Sequence, residues 1–158
     1  MVKRDFSEIN REHVGNAAEF YVAYKLSLNG WICAPFSKNV KDFDLLAHKT
    51  IKGKEKFLKI QVKGSSKSNY SWFLNKKHED IKDPNLWYIF VEFNTEKNYP
   101  ECFIAPSEKI AEDIKKDHKK YMSTPGKNGK LHKNTTMRRW GSWYNDFDKF
   151  RENWKILE

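Results

Sequence analysis

The hydrophobic positions of this chain recur in a few distinct rhythms. From Ser7 to about Asn29, the apolar residues Val14, Ala17, Ala18, Tyr21, Val22, Leu26 and Leu28 fall at helical spacing. Ser7 or Asn10 caps the start of that predicted helix, and Asn29-Gly30 ends it. Trp31 to Phe36 reads as a short strand. Its poor alternation points to an inner position, and a polar turn over Ser37–Lys41 follows. Two apolar runs, Asp42–Ala47 and Phe57–Gly64, are joined through Lys52-Gly53-Lys54, which predicts an antiparallel pair. In the second run alternation is strict: Leu58, Ile60 and Val62 face one way, and Lys59, Gln61 and Lys63 the other. Asn75–Lys82 reads as a short polar helix or turn. Leu86–Phe93 is the most apolar run and predicts a central strand buried on both faces. A hairpin-like link, Asn94–Pro100, leads to a further strand, Glu101–Ala105, stopped by Pro106. Ser107 caps a helix running to about Lys120, with Ile110, Ala111 and Ile114 as its stripe. Trp140, Trp143, Phe147, Phe150 and Trp154 read as the packing stripe of a C-terminal helix.

Composition narrows the class. With 158 residues, 39% of them hydrophobic and 15% aromatic, the chain is long and apolar enough for one cored domain. The expected organisation is a single unit over 1–158, with a core at about 8–120 and an extension at about 121–158. Charged residues make up 32%, and the net charge of +9 favours polyanionic partners, nucleic acid above all. Cys33 and Cys102 lie far apart, in or beside apolar runs, and read as free thiols of a reducing compartment rather than a disulfide. The five histidines are scattered and no Cys-x-x-Cys occurs, which argues against structural zinc. Met1–Asp5 leads into charged sequence without a signal-peptide core, and no run approaches the roughly 18 apolar residues of a membrane span. A cytoplasmic protein with no membrane partner is the expectation.

Candidate chemistry concentrates on the strand pair. Asp44 stands directly before Leu45-Leu46-Ala47, inside the strand, where a charge is costly unless paired or bound to a metal. Asp42 reads as a turn residue. Gln61 and Lys63 share a face, roughly 6–7 Å apart along the strand. With Asp44 on that face, an acid, an amide oxygen and an ammonium group converge, a set suited to a divalent cation and a phosphate. Glu19 stands between Ala18 and Phe20, in helical phase with Gly15, Val22 and Ala23, where small neighbours let another element approach. Three further stretches suit nucleic-acid contact. The hydroxyl-rich loop Gly64–Tyr70 offers Ser65, Ser66 and Lys67 to phosphates. The basic loop Ser123–Thr136 carries Lys127 and Lys130; it is no phosphate-binding P-loop, because Thr124 and Leu131 occupy required positions. Arg138 and Arg139 interleave with Trp140, Trp143 and Tyr144, as in surfaces that stack on bases.

Taken together, Glu19 on the first helix, Asp44 before Leu45-Leu46-Ala47, and Gln61-Val62-Lys63 resemble the PD-(D/E)XK nuclease superfamily, which includes restriction endonucleases and archaeal-type Holliday-junction resolvases. The resemblance covers roughly residues 8–106. It implies an α/β, restriction endonuclease-like αβββαβ core: a mixed sheet flanked by helices, here with the aromatic-rich helical extension at the C-terminus. It implies hydrolysis of phosphodiester bonds with Mg²⁺ or Mn²⁺. Asp44, the Val62 carbonyl and Gln61 would be the metal ligands. Lys63 would orient or deprotonate the attacking water, and Glu19 would hold a metal-bound water or the lysine. The implied partner is nucleic acid, DNA first, and the family admits a homodimer. Gln61 is the departure, because most members carry Asp or Glu there; Phe43 also replaces the proline of the motif. Two readings therefore stay open on sequence: a metal-dependent endonuclease, or a catalytically inactive nuclease-fold protein that binds nucleic acid or a protein partner.

Overall fold

The first helix, α1 (Arg11–Leu28), starts at Asn10, whose side-chain oxygen accepts a hydrogen bond from the Glu12 N–H. It ends in a Schellman turn: Gly30, at φ 78°, donates to Ser27, and Trp31 donates to Leu26. The computed structural model describes residues 6, 8–36, 42–93, 96–97 and 99–158. Ser7, the alternative cap, lies outside these residues, as do Met1–Asp5, the Ser37–Lys41 turn, and Asn94, Thr95 and Asn98 of the hairpin-like link.

Strands β1 (Ile32–Pro35), β2 (Leu45–Ile51) and β3 (Lys54–Ser65) follow, then β4 (Ser71–Asn75), a 3₁₀ turn (Lys76–Glu79), β5 (Leu86–Glu92), β6 (Glu101–Pro106) and α2 (Ser107–Ser123). The main sheet has the order β1-β2-β3-β5-β6, antiparallel except where β3 and β5 run parallel. The β2–β3 hairpin turns through Lys52 and Gly53, both at positive φ, a turn whose twist matches the flanking strands. The mixed sheet flanked by helices is as expected. However, the crossover between the parallel strands runs through β4 and the 3₁₀ turn, where an αβββαβ order has a helix. β1 is an edge strand, not an inner one. It is four residues long, and only Cys33 turns toward α1, so its weak alternation reflected brevity rather than burial on two faces.

Two cores lie on opposite faces of this sheet. On one, Ala18, Val22 and Leu26 of α1 pack on Leu58, Ile60, Val62, Ile89 and Val91. On the other, Tyr88, Phe90 and Phe103 pack against Ile110 and Ile114 of α2 and against Trp72, Trp140, Phe147 and Phe150. The aromatic C-terminal region is not the expected helix. It forms β7 (Met137–Gly141), which pairs with β4, and two 3₁₀ turns, Phe147–Phe150 and Trp154–Leu157. Arg138 and Trp140 point inward while Met137 and Arg139 point out, a period of two that the helical spacing of the later aromatics masked. Gly141 permits the close approach of this segment, since a Cβ there would lie 2.3 Å from the Tyr70 carbonyl oxygen. Ser107 is the first residue of α2 rather than its cap, and its hydroxyl bonds the backbone of Asp83. Both cysteines are free, Cys102 buried and Cys33 half-buried. Among the described residues, no helix is long and apolar enough to cross a membrane.

Candidate active site

The site arises because β3 outruns β2. Their ladder ends at Leu45–Ile60, extended by one bond from the Asp44 N–H to the Ile60 carbonyl. Asp44 thus sits just before β2 rather than within it. Beyond Ile60, the backbone groups of β3 that face β2 meet no further β2 backbone. The Val62 N–H donates instead to Asp44 Oδ2, at 2.7 Å. In an antiparallel ladder, the N–H and C=O of one residue point the same way, so the Val62 carbonyl emerges at the same edge. The Gln61 Nε2 donates to Asp44 Oδ2 at 2.5 Å and lies 3.4 Å from the Val62 carbonyl oxygen. Asp44 and the Gln61 side chain therefore meet where β3 runs past β2, and strand alternation puts Lys63 on the same side of β3 as Gln61.

Glu19 reaches this region from the other layer, and a glycine sets how closely. A Cβ on Gly64 would lie 2.9 Å from the Ala18 Cβ and 2.9 Å from the Val14 carbonyl oxygen, so α1 crosses β3 at near-backbone contact. The half-buried Glu19 follows Ala18 directly, and its charge acts on Lys63.

Burial governs the electrostatics. It raises the Asp44 carboxyl above its ordinary range, against the Val62 N–H bond and the Lys63 charge, which pull it down. Burial likewise lowers the Lys63 ammonium, helped by Lys77 and opposed by Asp44 and Glu19. Four residues that the sequence reading did not place in the site border it. Lys77 pairs with Asp42 at 2.7 Å, and Asp42, at φ 79°, is the turn residue expected. His78 is buried with Nδ1 2.6 Å from the Tyr88 hydroxyl. Burial, then Lys63 and Lys77, bring His78 down to about 4, so it is neutral at physiological pH. The signal available in sequence was only that Lys77-His78 follows the strand run Ser71–Asn75; nothing local said that this turn folds back toward Lys63.

The other expected nucleic-acid residues divide. Lys67, Lys127, Lys130 and Arg139 are exposed, and the Arg139 guanidinium lies 5.3 Å from the Trp143 ring centroid. Ser65 and Ser66 are buried, because β3 continues through Ser65 and the exposed loop begins later. Arg138 is also buried, in an ion pair with Glu79 and in bonds to the Thr135 and Met137 carbonyls, so its cation serves the fold. The 124–136 loop is held by local contacts. Its Gly126–Lys130 turn is hydrogen-bonded, and His132 stacks on Tyr121 of α2 at 3.9 Å.

Among the described residues, no three His, Cys, Asp or Glu side chains cluster. One carboxylate, one backbone carbonyl and one amide nevertheless converge within hydrogen-bonding distances at a sheet edge. All are oxygen-bearing, as Mg²⁺ or Mn²⁺ requires, with one formal charge between them. They fit such an ion if water and substrate phosphate complete its shell.

No family model matches this chain, and no curated protein does. Among solved structures, it superposes on a bacterial homing endonuclease, I-Ssp6803I, with a TM-score of 0.51 and 11% identity, over 94% of this chain and 92% of that one. The fold is endonuclease-like. That endonuclease-like fold includes the aromatic C-terminal region, since the superposition spans nearly the whole of both chains.

Proposed function

We propose that this endonuclease-like protein is a metal-dependent nuclease of the PD-(D/E)XK type, cutting phosphodiester bonds in DNA. The observation that carries the reading is the convergence of Asp44, Gln61, Lys63 and the Val62 carbonyl where β3 outruns β2. Asp44, the Val62 carbonyl and Gln61, through its amide oxygen, would hold Mg²⁺ or Mn²⁺. When bound, the ion would supply a Lewis acid and a more acidic water. Lys63, its ammonium disfavoured by burial, suits proton transfer with the attacking water and neutralisation of phosphate charge. Glu19 balances Lys63 from α1. Lys67, Lys127, Lys130 and Arg139 supply cations to the backbone. The outer face of the β4–β7 ribbon offers Phe73, registered with Arg139 and exposed like Trp143, for base contact. Free thiols suit a cytoplasmic setting.

One observation favours a second reading, a nuclease-fold protein that binds DNA without cutting. Gln61, hydrogen-bonded to Asp44, brings no charge to the donor set, where most members of the resembled superfamily carry an acid. Plasmid, single-stranded and branched DNA, incubated with Mg²⁺ or Mn²⁺, decide between them. Cleavage by the wild type that disappears in Lys63→Ala supports the nuclease. Wild type and Lys63→Ala that are equally inert on every substrate, yet still shift DNA, establish the binding protein.

A further inference from the structure

Acidic residues are unevenly placed along this chain. Residues 56–78, which contain β4, hold six Lys and no Asp or Glu; residues 118–145, which contain β7, hold seven Lys or Arg and again no acid. The two stretches meet in the β4–β7 ribbon. Its inner face, Trp72, Leu74, Arg138 and Trp140, is buried. Its outer face carries Phe73 and Met137, 49% and 58% exposed, with Arg139 directly across from Phe73. Arg138 and Arg151 are held by carboxylates, whereas Arg139, among the described residues, is not. Its guanidinium lies over the ring of Trp143 instead. At one end of the ribbon the Lys76 N–H donates to the Thr136 carbonyl, and Lys77, next in the chain, acts on Lys63. The ribbon thus leads directly to the candidate active site.

On the footing that the protein acts on DNA, we infer that the outer face of the β4–β7 ribbon reads base sequence in the major groove of the duplex, with Arg139 and Phe73 as specificity-determining residues. Charge selects the occupant: two acid-free, Lys- and Arg-bearing stretches favour a polyanion over an apolar protein partner. Shape selects its form. Two strands about 4.8 Å apart, with side chains standing off the outer face, match a major groove about 12 Å wide. The major groove of A-form RNA is too deep and narrow to be read this way. Chemistry assigns the contacts. An arginine fork matches O6 and N7 of guanine, and a phenyl ring packs on the methyl group of thymine. Trp143, stacked on the guanidinium, restricts Arg139 before binding, so less side-chain freedom is lost when the contact forms. Lys127 and Lys130, in contrast, suit phosphates, which fix position but carry no sequence information.

The test is selection from duplexes with a randomised central segment, bound by the full chain in EDTA, followed by fluorescence anisotropy on the enriched duplex. The wild type is expected to enrich a motif with a fixed guanine and to bind it about tenfold or more tighter than a scrambled duplex. Arg139→Ala should lose the preference at that guanine. Replacing the motif's thymines by deoxyuridine removes only their methyl groups; it should weaken the wild type and leave Phe73→Ala unaffected. Thermal melts of both variants should match the wild type, since both side chains are exposed. The Lys127→Ala/Lys130→Ala pair should weaken binding uniformly and keep the motif. A wild type that binds no duplex, enriches no sequence, or holds the single strand more tightly than the duplex overturns the inference. So does a motif that survives both Arg139→Ala and Phe73→Ala, or a loss in those variants that is uniform across sequences. No cleavage is read: selective binding without cutting in the Mg²⁺ assay would sink only the nuclease proposal, and cutting without selection only this one.

Discussion

Gln61 is the residue on which the site turns. Its NH₂ group donates to Asp44 Oδ2 and lies near the Val62 carbonyl. To serve as a ligand, the amide must turn its oxygen inward and give up a hydrogen bond to a carboxylate. Gln61→Glu removes that competition and adds a charge. It should raise Mn²⁺ affinity by about tenfold or more, measured by titration calorimetry, and lower the melting temperature without metal, because two carboxylates then face each other. Glu101 shows the opposite electrostatics. Burial raises its carboxyl, but hydrogen bonds from Lys97, Tyr70 and Arg151 outweigh that and bring it down to about 2. A depressed acid contributes stability that is present above its unfolded value of 4.5 and is lost as pH falls toward 2. Urea unfolding across that window should therefore show a loss of stability, and the Glu101→Gln variant should lose less of it on acidification. At neutral pH that variant should be less stable than wild type by about 1–3 kcal/mol, because the buried Glu101 gives up its charge-assisted bonds with Lys97 and Arg151, while Arg151 keeps Asp148.

At the scale of elements, the controlling contact is α1 across β3. Gly64 is where the two backbones come closest, and the added methyl of Gly64→Ala meets Ala18 and the Val14 carbonyl at 2.9 Å. Backbone cannot swing aside as a lysine tip can, so α1 must shift. The variant should lose about 1–3 kcal/mol in chemical denaturation. Any cleavage should fall even at temperatures where it stays folded, since Glu19 moves with the helix. This contact is half visible in the chain: Gly64 opens the expected loop, and the small residues around Glu19 suit a close approach, but nothing local joins the two. The β4–β7 ribbon was less visible. Its strands are separated by the 61 residues 76–136, whose end residues Lys76 and Thr136 are hydrogen-bonded, and no local rhythm reports a pairing across such a distance.

For the molecule as a whole, the +9 charge predicts DNA affinity that falls steeply with salt, because each phosphate contact releases condensed counterions. Fluorescence anisotropy over a salt series should give a linear log–log plot. The Lys127→Ala/Lys130→Ala pair should flatten its slope by up to about 2 and weaken binding uniformly across sequences. Arg138→Ala should act differently: it leaves Glu79 buried without its partner, so it should appear first as lost stability rather than as a changed slope.

Local pattern determined a great deal here. The period-two alternation of Leu58–Lys63 assigned Gln61 and Lys63 to one face and the core residues to the other. The apolar run of Leu86–Phe93 placed a buried strand, and the order of Glu19, Asp44 and Gln61-Val62-Lys63 pointed to one kind of site. These are short-range properties, written in neighbouring residues and in the fixed geometry of a strand. Tertiary structure alone decided which groups are exposed and which are spent on the fold. It buried Arg138 with Glu79 and closed Ser65 and Ser66 into the end of β3. It drew Lys77 and His78 toward Lys63, and among the described residues left Phe20, Tyr24 and Leu28 of α1 exposed. Each of those outcomes depends on which distant segment packs against a residue, and hydrophobic or polar character alone does not encode that. The same holds for the site itself. Asp44 and Val62 meet because β2 starts late and β3 runs on, an offset that only the paired strands define.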